Sequence, residues 1–232
     1  MNVIGIITAR SGSKSVPHKN IRILGTVPLL GWLVQAATKS MKIDKLILST
    51  DSEEYFKIAK SFNQNIIFHN RSAQLSEDVP SELVILDVLE KYENLFDDDS
   101  IVVVLQPTTP FITCNDIDAC IEKLQQNSDF NTCLTVKRVS EYPEWMIIPN
   151  DDDEKICKVS PKESIRQNLK QRWIPNGGAY AVRKKFLEQT KSIIDKNAIL
   201  IHEMSKIRSM DIDEEEDFQL CEAIVNSNIL RD

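Results

Sequence analysis

The chain has 232 residues, 28 Lys/Arg against 35 Asp/Glu, a formal net charge of −7 and 42% hydrophobic residues, the balance of a globular enzyme built on one large domain. The acidic excess argues against nucleic acid as a partner, because that binding rests on cationic neutralisation of phosphates. Five dispersed cysteines with no C-x-x-C pair exclude a disulfide frame or a thiolate zinc site, and no apolar run is long enough to span a bilayer, so a cytoplasmic enzyme is expected.

The first predicted strand is Val3–Thr8. It opens into Ile7-Thr-Ala-Arg-Ser-Gly-Ser-Lys-Ser-Val-Pro-His-Lys-Asn20, a loop of small residues that let backbone N–H groups approach phosphate oxygens. Arg10, Lys14 and Lys19 supply the compensating charge. The first acidic residue is Asp44, so the whole opening segment carries six Lys/Arg and no carboxylate. The loop is neither a Walker sequence nor G-x-G-x-x-G, and a plain basic surface loop is the alternative reading.

Helical patterns at Leu29–Ser40, Glu53–Phe62 and Ser81–Leu95 then alternate with strands at Lys45–Thr50, Asn65–Phe68 and Ser100–Leu105. Asp51-Ser52 and Pro80-Ser81 are helix starts. The continuous run Ile101–Leu105 suits a central strand covered on both faces. This alternation predicts an α/β fold, a mostly parallel sheet with helices on both sides.

At the end of the apolar run stands Gln106-Pro-Thr-Thr-Pro110, where open α/β sheets bind ligands. The prolines fix where the Gln106 amide points; an ordinary strand-to-helix loop would look the same. From about 137 to 173 the pattern changes to short apolar pieces, Met146–Ile148 and Ile156–Val159, around the acidic turn Asp151–Glu154. This reads as an inserted β-rich arm in a single domain of residues 1–232. Regular structure returns at Gly178–Val182, Ala198–His202 and a helix from about Glu214 to Val225.

Pro175-Asn176-Gly177-Gly178 permits positive φ and close backbone approach to a ligand, although a turn entering a strand explains it equally well. Six of the seven residues from Asp211 to Asp217 are acidic. In an extended segment Asp211 and Asp213 share a side while Ile212 turns inward, which makes a hard-oxygen site for Mg²⁺. Helix capping, with Asp213 as N-cap, accounts for the run as well. Together these features suit Mg²⁺-dependent transfer from a nucleoside triphosphate.

At this point the residues resemble the cytidylyltransferases that activate nonulosonic acids, typified by CMP-N-acetylneuraminate synthetase. The resemblance rests on Ala9-Arg10-Ser-Gly-Ser-Lys14 with Pro17-His-Lys19-Asn20, then Ser49-Thr50-Asp51 and Arg71-Ser-Ala-Gln-Leu75. It continues through Leu105-Gln106-Pro107-Thr108, Arg166-Gln167, Pro175-Asn176-Gly177 and Met210-Asp211-Ile212-Asp213. It implies a Rossmann-like nucleotidyltransferase fold whose arm joins two subunits into a homodimer. It also implies a reaction in which the anomeric hydroxyl of a free sugar acid attacks the α-phosphate of CTP. By motif match, Arg10 and Lys19 hold the triphosphate with Lys14 assisting, beside Ser11 and Gly12. Asn20, Arg71 and Ser81 lie near the cytidine. Asp211 and Asp213 bind Mg²⁺, with Asp213 helping to activate the hydroxyl. Gln106 and Asn176 face the sugar acid, and Arg166 pairs with its carboxylate.

Three positions depart from that pattern. Ser15 stands where the family usually has glycine, Ile174 where an arginine commonly precedes Pro-Asn-Gly, and Trp145 near a common arm lysine. A lost cation and a gained indole imply a less polar substituent, so a relative such as legionaminic acid is expected, with N-acetylneuraminate next. A nucleotidyltransferase for a sugar or alcohol phosphate would want cations near Gln106 to Phe111, where the sequence has none. A non-catalytic nucleotide-binding protein need not keep Arg10, Lys19, Asp211 and Asp213 together.

Overall fold

The computed structural model describes residues 1–13, 15–149, 157–159, 165–227 and 229–230. Its main sheet is ordered β11-β7-β10-β6-β1-β4-β5. In chain order these strands are β1 (Val3–Thr8), β4 (Lys45–Thr50), β5 (Ile67–Asn70), β6 (Ile101–Leu105), β7 (Thr132–Arg138), β10 (Trp173–Arg183) and β11 (Leu200–Glu203). Only β10 runs antiparallel to its neighbours in this sheet.

The apolar runs of β1 and β6 lie side by side at the centre, with Ile7 opposite Leu105. Their side chains alternate between two cores. Val3, Ile7, Val103 and Leu105 pack with helices α1 (Leu29–Thr38), α2 (Glu53–Phe62) and α4 (Cys114–Gln126). Ile4, Ile6, Val102 and Val104 pack with α3 (Ser81–Lys91) and α5 (Lys184–Thr190) on the other face. A third cluster joins Leu24 and Leu29 to Ile212 and Phe218, seating α6 (Glu215–Asn226) beside the small hairpin β2 (Ile23–Leu24) and β3 (Val27–Pro28).

The mostly parallel, two-sided α/β sheet is as the alternation predicts, with differences in detail. Helix α3 ends at Lys91 and a separate 3-10 turn covers Glu93–Leu95, because Tyr92 leaves helical geometry at φ −124°. Strand β5 lies two residues beyond its expected start. Asn63 caps the preceding turn, its side chain accepting the Asn65 N–H at 2.9 Å, and delays the strand. Ser52 caps α2 as expected, accepting the Tyr55 N–H at 3.3 Å. The N-cap of α6 is Glu214, not Asp213: Glu214 and Asp217 form a reciprocal capping box.

Within residues 137–173 the chain leaves the sheet at Arg138 and rejoins it at Trp173, which pair with each other. Between them β8 (Ile147–Pro149) and β9 (Cys157–Val159) form a two-stranded antiparallel sheet. The acidic turn Asp151–Glu154 lies outside the described residues.

Candidate active site

The C-terminal ends of the parallel strands β1, β4 and β6 gather the site. The basic loop leaves β1 with the Ala9 N–H bonded to the Ser49 carbonyl at 3.0 Å. Asp51 at the end of β4 then clips it, accepting the Ser11 N–H at 2.8 Å and the Ser11 hydroxyl at 2.7 Å. His18, in left-handed geometry at φ 52°, turns the chain into a 3-10 segment, Lys19–Ile21. Lys19 and Asn20 are both buried there. The Asn20 amide donates to the Arg10 carbonyl at 2.9 Å, and Lys19 Nζ donates to the Ile212 carbonyl at 2.6 Å.

The basic loop, the strand-end loop after β6 and the acidic segment line one cavity of about 400 Å³. The loop contributes Arg10, Ser13, Ser15, Lys19 and Asn20; Gln106 and Thr108 stand opposite, and Asp211 and Asp213 close the side. Ile212 is fully buried between the two carboxylates, its N–H donating to the Thr108 carbonyl at 2.9 Å. Asp213 is mostly exposed and lies 4.0 Å from Lys19 Nζ. Asp211 is different: its Oδ1 is buried with no hydrogen-bond partner among the described residues. Burial raises the Asp211 pKa above the usual carboxylate range, against a hydrogen bond from Thr108, and the nearby Asp213 charge pushes the same way. A cation would relieve both effects. Among the described residues no group of three or more His, Cys, Asp or Glu surrounds a possible metal position. Mg²⁺ held here would therefore take most of its remaining ligands from phosphate and water, as that ion commonly does.

A second cavity, of about 200 Å³, adjoins the first through Thr8 and Arg10. Arg71 and Ser81 line it together with Leu75, Glu77, Asp78 and Val79. Arg10 forms an ion pair with Asp78 at 2.5 Å. Burial draws the Arg71 pKa down to about 10. The carboxylate-free opening of the sequence is thus a local property only, since folding brings Asp51, Asp78 and Asp213 to the basic loop.

Among the described residues, Ser11, Gly12 and Arg166, all expected at the site, line neither cavity. Lys14 lies outside the described residues. Ser11 is committed to Asp51, and Gly12 meets nothing within 4 Å of a Cβ position. Arg166 sits exposed in a turn and lines neither cavity, so one chain does not bring it to the site. Trp145 and Ile174 are likewise exposed and away from both cavities.

Asn176 requires a correction, because it does not face the cavity with a free amide. Its Oδ1 accepts from Thr135 Oγ1 at 2.7 Å and the Gly178 N–H at 3.1 Å. Its Nδ2 donates to Ser209 Oγ at 2.9 Å and lies 3.2 Å from Met204 Sδ. With its polar capacity used inside the protein, it joins the Gly177 turn to the segment that carries Asp211.

Residue-type reasoning gave no site role to Thr8, Ser13, Ser15 or Thr108, all of which line the first cavity. The Ser15 hydroxyl donates to the Asp213 carbonyl at 2.5 Å, so the residue in the usual glycine position is a strut between the two halves of the site. Small hydroxyl residues are too common in loops to signal such a role beforehand.

A family model for cytidylyltransferases matches residues 4–228. The chain is 31% identical over 219 residues to N-acylneuraminate cytidylyltransferase of Escherichia coli, covering 94% of this chain and 51% of that one. It is 27% identical over 231 residues to post-translational flagellin modification protein B of Campylobacter coli, covering 99% and 97%. The chain therefore spans about half the length of the E. coli relative and nearly all of the Campylobacter one. Among solved structures it is similar in fold to a CMP:2-keto-3-deoxy-manno-octonic acid synthetase complexed with CTP, at a TM-score of 0.70 and 14% identity. That likeness covers 99% of this chain and 100% of the other. No helix among the described residues is long and apolar enough to cross a membrane.

Proposed function

The chain belongs to the cytidylyltransferase family, and we propose that it transfers CMP from CTP to the anomeric hydroxyl of a free nonulosonic acid, releasing pyrophosphate. One observation carries this reading above the others. Two cations (Arg10 and Lys19), two carboxylates (Asp211 and Asp213) and the Gln106 amide share one cavity.

In this mechanism Arg10 and Lys19, with Lys14, bind the triphosphate. Arg10 exchanges Asp78 for phosphate oxygens, while Lys19 stays anchored on Ile212. Stabilising the charge that develops on the departing pyrophosphate is the main contribution asked of these side chains. The cytidine enters the second cavity beside Arg71 and Ser81, and Asn20 holds the Arg10 backbone where the two cavities meet. The partnerless buried oxygen of Asp211 and the hard-oxygen character of both carboxylates fit Mg²⁺, with Asp211 and Asp213 as its protein ligands. When bound, the ion would neutralise phosphate charge and orient the α-phosphate. Asp213, solvent-facing, accepts the proton of the attacking hydroxyl, and Gln106 orients the sugar acid.

The acceptor fits best as a relative of N-acetylneuraminate such as legionaminate. The support is chemical: Ile174 and Trp145 replace cations with apolar surface. Both lie on the arm side, so they and Arg166 would act across a homodimer. The apolar exposure of Met146, Ile147, Ile165 and Trp173 favours such an interface. The product would serve surface glycan or glycoprotein synthesis; the Campylobacter relative is named for the modification of a protein, flagellin.

Pyrophosphate release, measured for each nucleoside triphosphate against each purified sugar acid, tests the reading. CTP with legionaminate should be the best pair. Clear preference for N-acetylneuraminate would sink the legionaminate assignment, and turnover only with a sugar phosphate would sink the reaction itself. Sedimentation equilibrium should give a dimer that Ile147→Asp with Ile174→Asp converts to monomer.

A further inference from the structure

Arg71 is the last member of a hydrogen-bonded chain that runs back from the second cavity into the core. Its Nε donates to Ser49 Oγ at 2.9 Å and its Nη2 to the Ser49 carbonyl at 3.0 Å. Ser49 Oγ lies 2.8 Å from His69 Nδ1, and His69 Nε2 lies 2.8 Å from Asp87 Oδ2. Ser49 and His69 are fully buried. Lys91, one turn along α3, holds the same Asp87 oxygen at 2.9 Å.

The donor chemistry fixes the direction of each bond. A carboxylate only accepts, so His69 Nε2 carries a proton towards Asp87. Because burial keeps the ring neutral, the Ser49 hydroxyl, which accepts from Arg71 Nε, gives its own proton to His69 Nδ1. Nδ1 is then unprotonated, and the Nε2–H donates to the Asp87 carboxylate. His69 is therefore the neutral Nε2–H tautomer. Burial lowers its pKa and outweighs the raising effect of Asp87, while Lys91 and Arg71 lower it further. The order of contacts also excludes a hydrolase reading. The Ser49 hydroxyl is sealed in the core and covered by Arg71, with no room for an acyl substrate to reach it.

A buried arginine with a purely structural role ordinarily sits against a carboxylate. Arg71 instead bonds two neutral oxygens of one residue, which fixes the guanidinium plane; among the described residues no carboxylate forms an ion pair with it, and Asp51 acts on it only through space. The same Ser49 carbonyl accepts the Ala9 N–H at 3.0 Å, so the anchor of Arg71 is also the anchor of the phosphate loop.

We propose that Ser49, His69 and Asp87 are positioning residues that aim the Arg71 guanidinium into the second cavity to read an acceptor atom of the pyrimidine ring. This rests on the CTP reading above. The relay makes base recognition depend on a histidine tautomer two side chains behind the ligand.

Binding of CTP and UTP by calorimetry, with kcat and KM for CTP, tests this in four variants and the wild type. Ser49→Ala and His69→Leu should raise the CTP Kd and KM about tenfold, narrow the preference for CTP over UTP and leave kcat nearly unchanged. Ser49→Thr keeps the hydroxyl, and His69→Asn puts an amide oxygen where Nδ1 accepts; both should recover most of the affinity. Nitrogen-15 NMR of wild-type His69 should show Nδ1 unprotonated and Nε2 protonated at neutral pH. A protonated Nδ1 would overturn the relay. So would truncations that lower the melting temperature or kcat while CTP affinity stays intact. Wild-type protein that binds no CTP would overturn the underlying nucleotide reading too, whereas CTP binding equal in all variants would remove the relay alone.

Discussion

Lys19 Nζ donates to the main-chain carbonyl of Ile212 at 2.6 Å across 193 positions of sequence. The bond joins the basic loop to the segment that presents Asp211 and Asp213. It also holds the ammonium still, in a buried position, before any ligand arrives. A cation fixed in advance at a site of developing negative charge needs no reorganisation at the moment of reaction.

Lys19→Met keeps most of the buried stem and removes the charge. We expect kcat/KM for CTP to fall by about two to three orders of magnitude. The protein should also lose about 1–3 kcal/mol of stability, because the Ile212 carbonyl loses its donor. Lys19→Arg should rescue little, since a planar guanidinium does not fit where a compact ammonium meets a carbonyl. Steady-state kinetics and chemical denaturation check both parts, and an unimpaired Lys19→Met enzyme would contradict the role assigned to this residue.

Asp211 carries a cost in the metal-free protein, because its Oδ1 is buried without a partner and Asp213 adds like charge. Asp211→Asn removes that charge and should raise the melting midpoint without metal by about 2–4 °C while abolishing turnover. Asp211→Ala with Asp213→Ala should likewise stop CTP turnover in a folded protein. Calorimetry with and without Mg²⁺ separates these effects. A lower midpoint for Asp211→Asn would mean that its carboxylate already contributes to the fold.

Where one short segment builds a feature, the sequence is a good guide. The apolar runs of β1 and β6 mark central strands, and the alternation of Asp211 and Asp213 around a core-facing Ile212 reports their shared side. Helix α4 escapes notice although its capping box, Thr113 with Asp116, is written in the sequence. Its short stripe of Ile117, Cys120, Ile121 and Leu124 lies among polar residues and next to the Gln106 loop. Long-range pairings are harder to foresee. Neither the saturation of Asn176 by Thr135, Gly178 and Ser209 nor the clip of Ser11 onto Asp51 follows from local pattern, because both depend on strand order. Thus Asn176 looks like a ligand contact in sequence and acts as a joint in the fold.

The buried His69 sets a pH dependence. Its pKa in the fold is below the ordinary 6.5. As pH falls through that value the unfolded chain takes up a proton that the folded chain resists, so the fold loses stability there; above it, this contribution is constant. The buried Asp116 acts in a lower window. Its pKa is lowered from 3.8, with hydrogen bonds from His202 and Thr113 outweighing burial, so its contribution is lost only in stronger acid. Melting midpoints between pH 7.5 and 5 should therefore decline below about pH 6.5, and His69→Asn should flatten that decline. Identical slopes for wild type and variant would place the dependence elsewhere.

Gly177 tests how tightly the turn must approach the first cavity. Its φ is +78°, a region that strains any residue with a side chain. A Cβ there would also stand 3.1 Å from Thr109 Oγ1, 3.2 Å from Gln106 Oε1 and 3.4 Å from Asp211 Oδ2. The backbone strain costs about 1–2 kcal/mol by itself. The crowding falls on Gln106 and Asp211, both of which line the cavity, while the second cavity is untouched. Gly177→Ala should therefore lower kcat/KM for the sugar acid by about 100-fold, the scale of a small misplacement at a reacting centre, and leave CTP affinity close to wild type. Equal losses toward both substrates would show that the turn supports the whole fold of the site, whereas a loss confined to the acceptor places Gln106 on the sugar side.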